Sequence, residues 1–136
     1  MDLQAANAIA ASGLKAQSAR MRVISENIAN ADSAINAQGT GPYQRQMTAF
    51  QAVVDKTSGA VGVAVAKVAP DRANPFRQVY QPGHPLADAQ GLVQYPNVDL
   101  AVEAADLREA TRMYEANLSV IDTNRQMMQR LLSVLQ

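Results

Sequence analysis

Residues 24–33 read ISENIANADS and mark the place where a long helical pattern gives way to small and polar residues. The stretch holds two asparagines, Asn27 and Asn30, beside the apolar Ile24 and Ile28. Asparagine is an indifferent helix former because its side chain competes for backbone hydrogen bonds. Two asparagines in the last turns of one helix therefore suggest a specific role for their side chains.

Before this stretch, the chain carries a seam of positions spaced alternately three and four residues apart. This spacing averages 3.5 residues and is typical of a helix that packs against another helix in a coiled coil. Two polar residues lie in the seam and Gly13 lies beside it, so it offers little apolar surface. Its members are Leu3, Asn7, Ala10, Leu14, Gln17, Met21, Ile24, Ile28 and Ala31.

The last third of the chain repeats the spacing with larger side chains. Asp99 follows Pro96 and Asn97 and is placed to cap this helix, since an aspartate accepts hydrogen bonds from the first free N–H groups. At about 1.5 Å per residue the two helices would be roughly 45 and 55 Å long, so they can lie side by side or against neighbours. The members of this second seam are Leu100, Ala104, Leu107, Thr111, Tyr114, Leu118, Ile121, Arg125, Met128, Leu132 and Leu135.

The middle of the chain differs in composition from both ends. YQRQMTAFQAVVD (43–55) and VGVAVAKVAP (61–70) contain short runs typical of β-strands, and NAQGTGP (36–42) is predicted to be a loop. Five of the six prolines fall within 70–96, which excludes a long helix there and favours short strands and turns. We therefore predict an α+β fold in three parts: an N-terminal helix (1–33), a loop with a small β-rich, Pro/Gly-rich insert (34–97) and a C-terminal helix (98–136).

Composition excludes several classes of function. The chain has 136 residues, enough for one domain, and its twelve Lys and Arg balance twelve Asp and Glu. No basic face for nucleic acid is expected from such a balance. Cysteine is absent, so disulfides and thiolate metal sites are excluded. The start, Met1-Asp2-Leu3, lacks the basic and apolar segments of a cleaved signal peptide, and no apolar run is long enough to span a membrane.

Candidate catalytic and metal-binding residues are few. The single histidine, His84, lies in the turn PGHP, where a solvent-facing turn residue is a better interpretation than a metal ligand because no second ligand accompanies it. Glu103 and Asp106 are interpreted as part of a solvated helix face rather than as an acid–base pair. We predict no catalytic residue, no metal site and no cofactor, and therefore no enzyme.

Several segments together resemble the flagellar rod, hook and hook-associated family. ISENIANADS is similar to the N-terminal signature of that family, and PYQRQ (42–46) to the Tyr-Arg/Lys segment that follows it. YQPGHPLADAQGLVQYPNVDLAVEAADL (80–107) and REATRMYEANLSVIDTNRQMMQRLLSVL (108–135) resemble the family's later segments, in the same order and spacing. The positions that match its signature are Asn27, Ile28, Asn30, Tyr43, Arg45, Asn97, Tyr114 and Asn117.

The resemblance implies a structural subunit of the bacterial flagellar rod, the drive shaft that crosses the periplasm. Members are exported by the flagellar type III apparatus without signal cleavage and polymerise helically. Their terminal helices pair antiparallel in the inner tube, and the insert faces outward. Other copies and other rod proteins are then the partners, without nucleic acid or a small-molecule ligand. The expected assembly contacts are Leu3, Leu14, Met21, Ile24, Ile28, Leu107, Tyr114, Leu118, Ile121, Met128, Leu132 and Leu135.

Two alternatives stay open. A cytoplasmic coiled-coil adaptor or oligomerisation module would share both seams, but it would need neither the Pro/Gly-rich insert nor the asparagine signature. For Asn27 and Asn30 themselves, one hypothesis is that they satisfy polar groups at subunit contacts and fix the register of packing. The other is that they cap and end the helix.

Overall fold

The computed structural model describes residues 2–35 and 39–135. Positions 36–38 of the predicted loop, together with Met1 and Gln136, lie outside the described residues. The elements are α1 (Leu3–Ala29), β1 (Gln46–Val54), β2 (Val61–Pro70), β3 (Arg77–Tyr80), β4 (Leu92–Tyr95) and α2 (Leu100–Val134). Two long terminal helices thus flank a small β-rich segment, and the predicted α+β class is confirmed.

The chain forms two compact units. The first contains residues 1–21, 49–67 and 108–136, and the second contains residues 22–48 and 68–107. This division cuts across both helices, whereas the predicted three-part division follows the order of the sequence. The buried apolar side chains are mostly small, namely Ala10, Ala16, Val23, Ile24, Ala31, Val93 and Ala110.

In the first unit, α1 and α2 run antiparallel. The side-chain amide of Asn124 donates to Oδ1 of Asn7 at 2.9 Å, and Arg20 forms an ion pair with Glu109 at 3.0 Å. Early residues of α1 thus face late residues of α2, and the predicted antiparallel pair is confirmed.

The first unit also contains most of a β-hairpin formed by β1 and β2. At its turn, the carboxylate of Asp55 accepts hydrogen bonds from the backbone N–H groups of Ser58 and Thr57, at 3.0 and 2.7 Å, and these bonds lower the pKa of Asp55. The hydroxyl of Ser12 on α1 accepts a hydrogen bond from the N–H of Val63 at 3.0 Å. A side chain at Gly62 would place its Cβ 2.7 Å from that hydroxyl oxygen, so glycine is needed for this close approach.

In the second unit, β3 and β4 pair antiparallel, with Arg77 opposite Tyr95 and Val79 opposite Val93. Val93 is fully buried. Gly91, just before β4, has a φ of +79°, and a Cβ there would lie 2.9 Å from the ring of Tyr80. Glycine accommodates both the left-handed backbone and the ring.

The helix ends follow from local side chains. Oδ1 of Asp99 accepts a hydrogen bond from the N–H of Ala101 at 2.9 Å, which confirms Asp99 as the N-cap of α2. At the other helix, the side chain of Asn30 donates to the carbonyl of Glu26 at 2.8 Å, and α1 ends at Ala29, before the predicted boundary at residue 33.

The buried stripe of α2 differs from the predicted seam. Leu107, Tyr114 and Ile121 are half-buried, as a seam requires. At four places the most buried residue comes one position earlier than predicted, since Glu103, Ala110, Asn117 and Asn124 turn inward beside Ala104, Thr111, Leu118 and Arg125. Ala104 is half-buried as well, and the other seam positions, Leu100, Met128, Leu132 and Leu135, are exposed. On α1, every predicted seam position is buried or half-buried. In the parts of the chain that the structure describes, neither helix is long and apolar enough to cross a membrane.

Candidate functional site

Asn27 lies at the centre of a buried polar network in the second unit. Its side chain is almost completely buried, with 1% of its surface exposed. The amide forms two hydrogen bonds with the backbone of Gln46, donating from Nδ2 to the carbonyl at 2.9 Å and accepting from the N–H at Oδ1, also at 2.9 Å. The side chain of a helix residue thereby pairs with the first residue of β1 as a neighbouring strand would.

Two further bonds complete the hydrogen-bonding capacity of Asn27. The hydroxyl of Tyr43 donates to Oδ1 at 2.8 Å, and Nδ2 donates to Oε2 of Glu103 at 3.2 Å. A primary amide offers two N–H donors and two acceptor lone pairs, so no group is left for another subunit. The hypothesis of a subunit contact is therefore wrong for Asn27.

Asn30 fits the second hypothesis, in which the side chain caps and ends the helix. Besides its bond to the carbonyl of Glu26, its Oδ1 accepts a hydrogen bond from the hydroxyl of Ser33 at 3.3 Å. The carbonyl of Glu26, in the last turn of α1, therefore accepts both the backbone N–H and the side-chain amide of Asn30, and the side chain also contacts the residues that follow. The interpretation that it ends the helix is confirmed.

Arg45 joins three carboxylates. Its Nε forms an ion pair with Oε1 of Glu103, while its two terminal nitrogens lie 3.2 Å from Asp71 and 3.5 Å from Asp106. Burial alone lowers the pKa of Arg45, but the hydrogen bonds and charges of Glu103 and Asp71 together raise it more, so the net shift is upward. The guanidinium is permanently charged and offers its planar fork to several oxygens at once.

Glu103 corrects the sequence interpretation of α2. Its side chain is fully buried, and it is paired with Arg45 and Asn27, so it does not belong to a solvated face. Asp106, with a third of its side chain exposed, also lies at the edge of this group. A buried carboxylate is tolerated where a cation and hydrogen-bond donors compensate the loss of water.

Asp71 fixes the segment that leaves β2. Its Oδ1 accepts hydrogen bonds from the N–H groups of Ala73 and Asn74 at 3.0 and 3.3 Å, and its Oδ2 accepts from the side chain of Asn74 at 2.8 Å. These bonds, the side-chain one first, lower the pKa of Asp71 despite its burial. The carboxylate therefore stays ionised opposite Arg45.

Asn97 closes the network just before α2. Its Oδ1 accepts a hydrogen bond from the backbone N–H of Arg45 at 2.8 Å, and its Nδ2 donates to the carbonyls of Asp71 and Asn74, both at 3.0 Å. We call the whole group the Arg45 cluster, and its members are Asn27, Tyr43, Arg45, Asp71, Asn97, Glu103 and Asp106.

The groups of the Arg45 cluster are suited to holding chain segments together. Burial, followed by the charges of Glu26 and Glu103, raises the pKa of Tyr43, so its phenol stays protonated and donates to Asn27. The carboxylates are committed to Arg45 and to backbone N–H groups. Among the residues described, no group of three His, Asp or Glu side chains is placed to hold a metal ion. The cluster therefore joins α1, the segment before β1, the end of β2 and the start of α2.

Four of the predicted signature positions, Asn27, Tyr43, Arg45 and Asn97, meet in this cluster. The other four do not. Asn30 ends α1, Ile28 is half-buried on the same helix, and Tyr114 and Asn117 lie on α2 in the first unit. His84 lies in a turn, where its Nδ1 accepts a hydrogen bond from the N–H of Leu86 at 3.1 Å.

The predicted assembly contacts differ in exposure. Ile24 is buried, and the half-buried members are Leu3, Leu14, Met21, Ile28, Leu107, Tyr114 and Ile121. The members exposed in the single chain are Leu118, Met128, Leu132 and Leu135. Their role in assembly stays a prediction.

Sequence reasoning missed Asp71 and misread Glu103, which carry the charges opposite Arg45. A local signal for Glu103 was present, because it lies four residues after the cap Asp99 and its N–H bonds to the carbonyl of that residue at 2.9 Å. This position suits a carboxylate near a helix N-terminus but does not reveal that the side chain is buried.

Comparisons with known proteins point to one family. The family model described as "Flagella basal body rod protein" matches residues 8–38, and that of "Flagellar basal body rod FlgEFG protein C-terminal" matches residues 89–134. The flagellar basal-body rod protein FlgC of Agrobacterium fabrum is 45% identical over 134 residues, which cover 98% of this chain and 96% of that relative.

Two further relatives, at lower identity, agree. FlgC of Salmonella typhimurium is 42% identical over 126 residues, with 93% of this chain and 92% of the relative covered. FlgC of Bacillus subtilis is 36% identical over 141 residues, with 93% of each chain covered. With these identities over nearly full length and two rod family models matched at its two ends, the chain belongs to the FlgC family of flagellar basal-body rod proteins.

Proposed function

We propose that this chain is a structural subunit of the flagellar basal-body rod, that it polymerises helically through α1 and α2, and that it forms part of the proximal drive shaft that transmits motor torque. Its relatives are named as rod proteins, and the Arg45 cluster is built to hold segments together rather than to react. The observation that carries the proposal is the apolar end of α2.

The end of α2 exposes a large amount of apolar surface. Leu131, Leu132, Val134 and Leu135 are between 56% and 83% exposed, and Met127 and Met128 precede them at 41% and 46%. A helix that is apolar on several faces is normally buried against other elements. Burying one large apolar side chain is worth about 1.5–3 kcal/mol, so packing of this end against neighbouring helices favours a polymer over the single chain.

The proposal extends to partners and location. Neighbours in the rod are further copies of this chain and other rod proteins, and delivery is through the flagellar export apparatus without a cleaved signal peptide. The rod lies in the periplasm. Residues 1–33 and 98–136 form the inner tube, while residues 34–97 face outward. Support comes from the amphipathic seam of α1, the exposed end of α2 and the segregation of strands and prolines between them.

The experiment compares two substitutions in the last turns of α2. In a strain that lacks the chromosomal gene, Leu132→Asp and Gln129→Asp are each supplied in the full-length chain. Both positions are exposed in the single chain, so neither carboxylate disturbs its folding. A carboxylate at 132 would be buried without a partner in the assembled rod, which is costly enough to prevent packing.

We expect the Leu132→Asp strain to be non-motile in soft agar, with stable protein in immunoblots and no rods in electron micrographs of isolated basal bodies. The Gln129→Asp strain should swim. Equal swimming and intact rods in both strains would contradict the assignment of this helix end to assembly.

A further inference from the structure

We infer that two interlocking contacts in the first unit, Asn7 with Asn124 and Gly13 with Asn117, fix the register in which α1 and α2 pair. The register determines which residues of α2 extend past the start of α1. The consequence for rod assembly rests on the proposed function, whereas the register itself does not.

The first contact is a hydrogen-bonded pair of side-chain amides between the two helices. Asn124 has 7% of its surface exposed, and its Nδ2 donates to Oδ1 of Asn7 at 2.9 Å. A sliding of the helices by seven residues, about 10 Å, keeps the seam spacing but changes every partner. In one direction Asn124 would face Leu14, and its amide would be buried without a partner. Such pairs specify register in coiled coils for this reason.

The second contact opposes sliding by shape. Asn117 fits against Gly13, where a Cβ would lie 2.7 Å from its Nδ2 and 2.8 Å from its Cγ. Gly13 is the one glycine of α1, and the residues seven positions before and after it are Ala6 and Arg20. A shift of seven residues in either direction would thus bring a larger side chain against Asn117. The two contacts together oppose a slide of seven residues within the first unit, and the hydrogen bond of Asn27 to Glu103 joins the same two helices in the second.

The register sets the length of the free end. Asn7 lies four residues after Leu3, the first residue of α1, so Leu3 is level with about residue 128 of α2. The six helical residues after it, 129–134, extend past Leu3 by about 9 Å. These are the turns that contain Leu131 and Leu132. A slide of seven residues would either cover them or expose a further two turns.

The test measures a distance between two spin labels on the purified full chain. The chain has no cysteine, so Ser18→Cys and Gln126→Cys, both at exposed positions of the first unit, accept labels without interference. A slide of seven residues would shift their separation by up to about 10 Å, which pulsed electron paramagnetic resonance resolves. In the parent chain we expect a single distance.

Three variants separate the contacts. Gly13→Ala should reduce the fraction of molecules that show the parent distance, because its Cβ displaces Asn117. Adding Asn117→Ala should restore that fraction while Asn7 and Asn124 still pair. Adding Asn7→Leu and Asn124→Leu to that double variant removes both contacts. Because Asn27 still bonds to Glu103 and joins the same two helices in the second unit, the distance distribution should broaden beyond that of the parent rather than shift as a whole.

A distance distribution in the fourfold variant that is as narrow as that of the parent, at the same mean, would overturn the inference. If the fourfold variant loses its helical circular dichroism, the double variant Gly13→Ala with Asn117→Ala provides the test. Failure of that double variant to recover the parent distance would equally overturn the inference. These readings come from the isolated chain, so they can fail while Leu132→Asp still abolishes rods.

Discussion

Replacing Arg45 by methionine tests whether the Arg45 cluster holds the second unit together. Methionine keeps much of the length of the side chain but removes its charge and its five N–H donors. Glu103, fully buried, would lose the one cation that pairs with it among the described residues, and there it would keep a hydrogen bond from Asn27 at 3.2 Å. The variant therefore isolates the cost of an uncompensated buried carboxylate.

The expected loss of folding free energy is dominated by Glu103. Breaking a buried ion pair by removing one partner costs about 3–5 kcal/mol. Asp71 adds little, because it keeps its hydrogen bonds from Ala73 and Asn74. Asp106 is partly exposed, and such pairs are worth about 0–1 kcal/mol. Against a typical total stability of about 5–15 kcal/mol, the loss would be large.

The control is Arg77→Met in the same unit. Arg77 pairs at 3.1 Å with Asp32, and both side chains are more than half exposed. It also lies 5.2 Å from the ring centroid of Tyr95. An exposed pair and an exposed cation–π contact together contribute at most about 2 kcal/mol. The free energy of unfolding is measured by urea titration followed at 222 nm.

A companion variant identifies the origin of the loss. Adding Glu103→Leu to Arg45→Met removes the orphaned carboxylate, so the double variant should be more stable than Arg45→Met alone. The reasoning would be refuted if Arg45→Met lost no more stability than Arg77→Met, or if the added leucine destabilised the chain further.

The direction of two further effects on stability can be predicted, one of a substitution and one of pH. The Oε1 atom of Gln17 is buried and has no hydrogen-bond partner within the described part of the chain, so Gln17→Met should stabilise by about 1–3 kcal/mol, seen as a higher melting temperature; a lower one would contradict this. The pKa of Asp71 is lowered by folding, so the stability it contributes is complete above its unfolded pKa of about 3.9 and is lost as pH falls through the folded pKa. As the pH is lowered from about 4, the urea midpoint of the parent chain should therefore drop by more than that of Asp71→Asn, and equal drops would contradict the assignment.

Local patterns were sufficient for the elements but not for the cluster. Periodicity and prolines predicted both helices and the strand regions, and Asp99 was recognised as a cap because capping depends on neighbours in sequence. The meeting of Arg45 and Glu103 depends on residues 58 apart, and no local pattern reveals it. A charged helix residue is usually solvated, so Glu103 was placed on the wrong face.

The seam of α2 shows the same limit. It was predicted from large apolar residues such as Leu118, on the principle that these are buried first. The structure instead turns Asn117 and Asn124 inward, because each finds a specific partner on α1: a glycine notch for one and an amide for the other. Polar residues can occupy a seam when they are paired, and a single helix gives no sign of the pairing.

The long sequence separations within the Arg45 cluster bear on when the chain can fold. Asn27 and Glu103 are 76 residues apart, so the loop between them must close before their hydrogen bond can form. Loop closure costs entropy before contacts of high sequence separation return any free energy, which makes such topologies slow to fold. A chain emerging through a narrow conduit from either end exposes only part of the cluster at a time, and its polar members stay hydrated until the last one arrives. The same cluster that stabilises the finished subunit thereby delays folding during the proposed export.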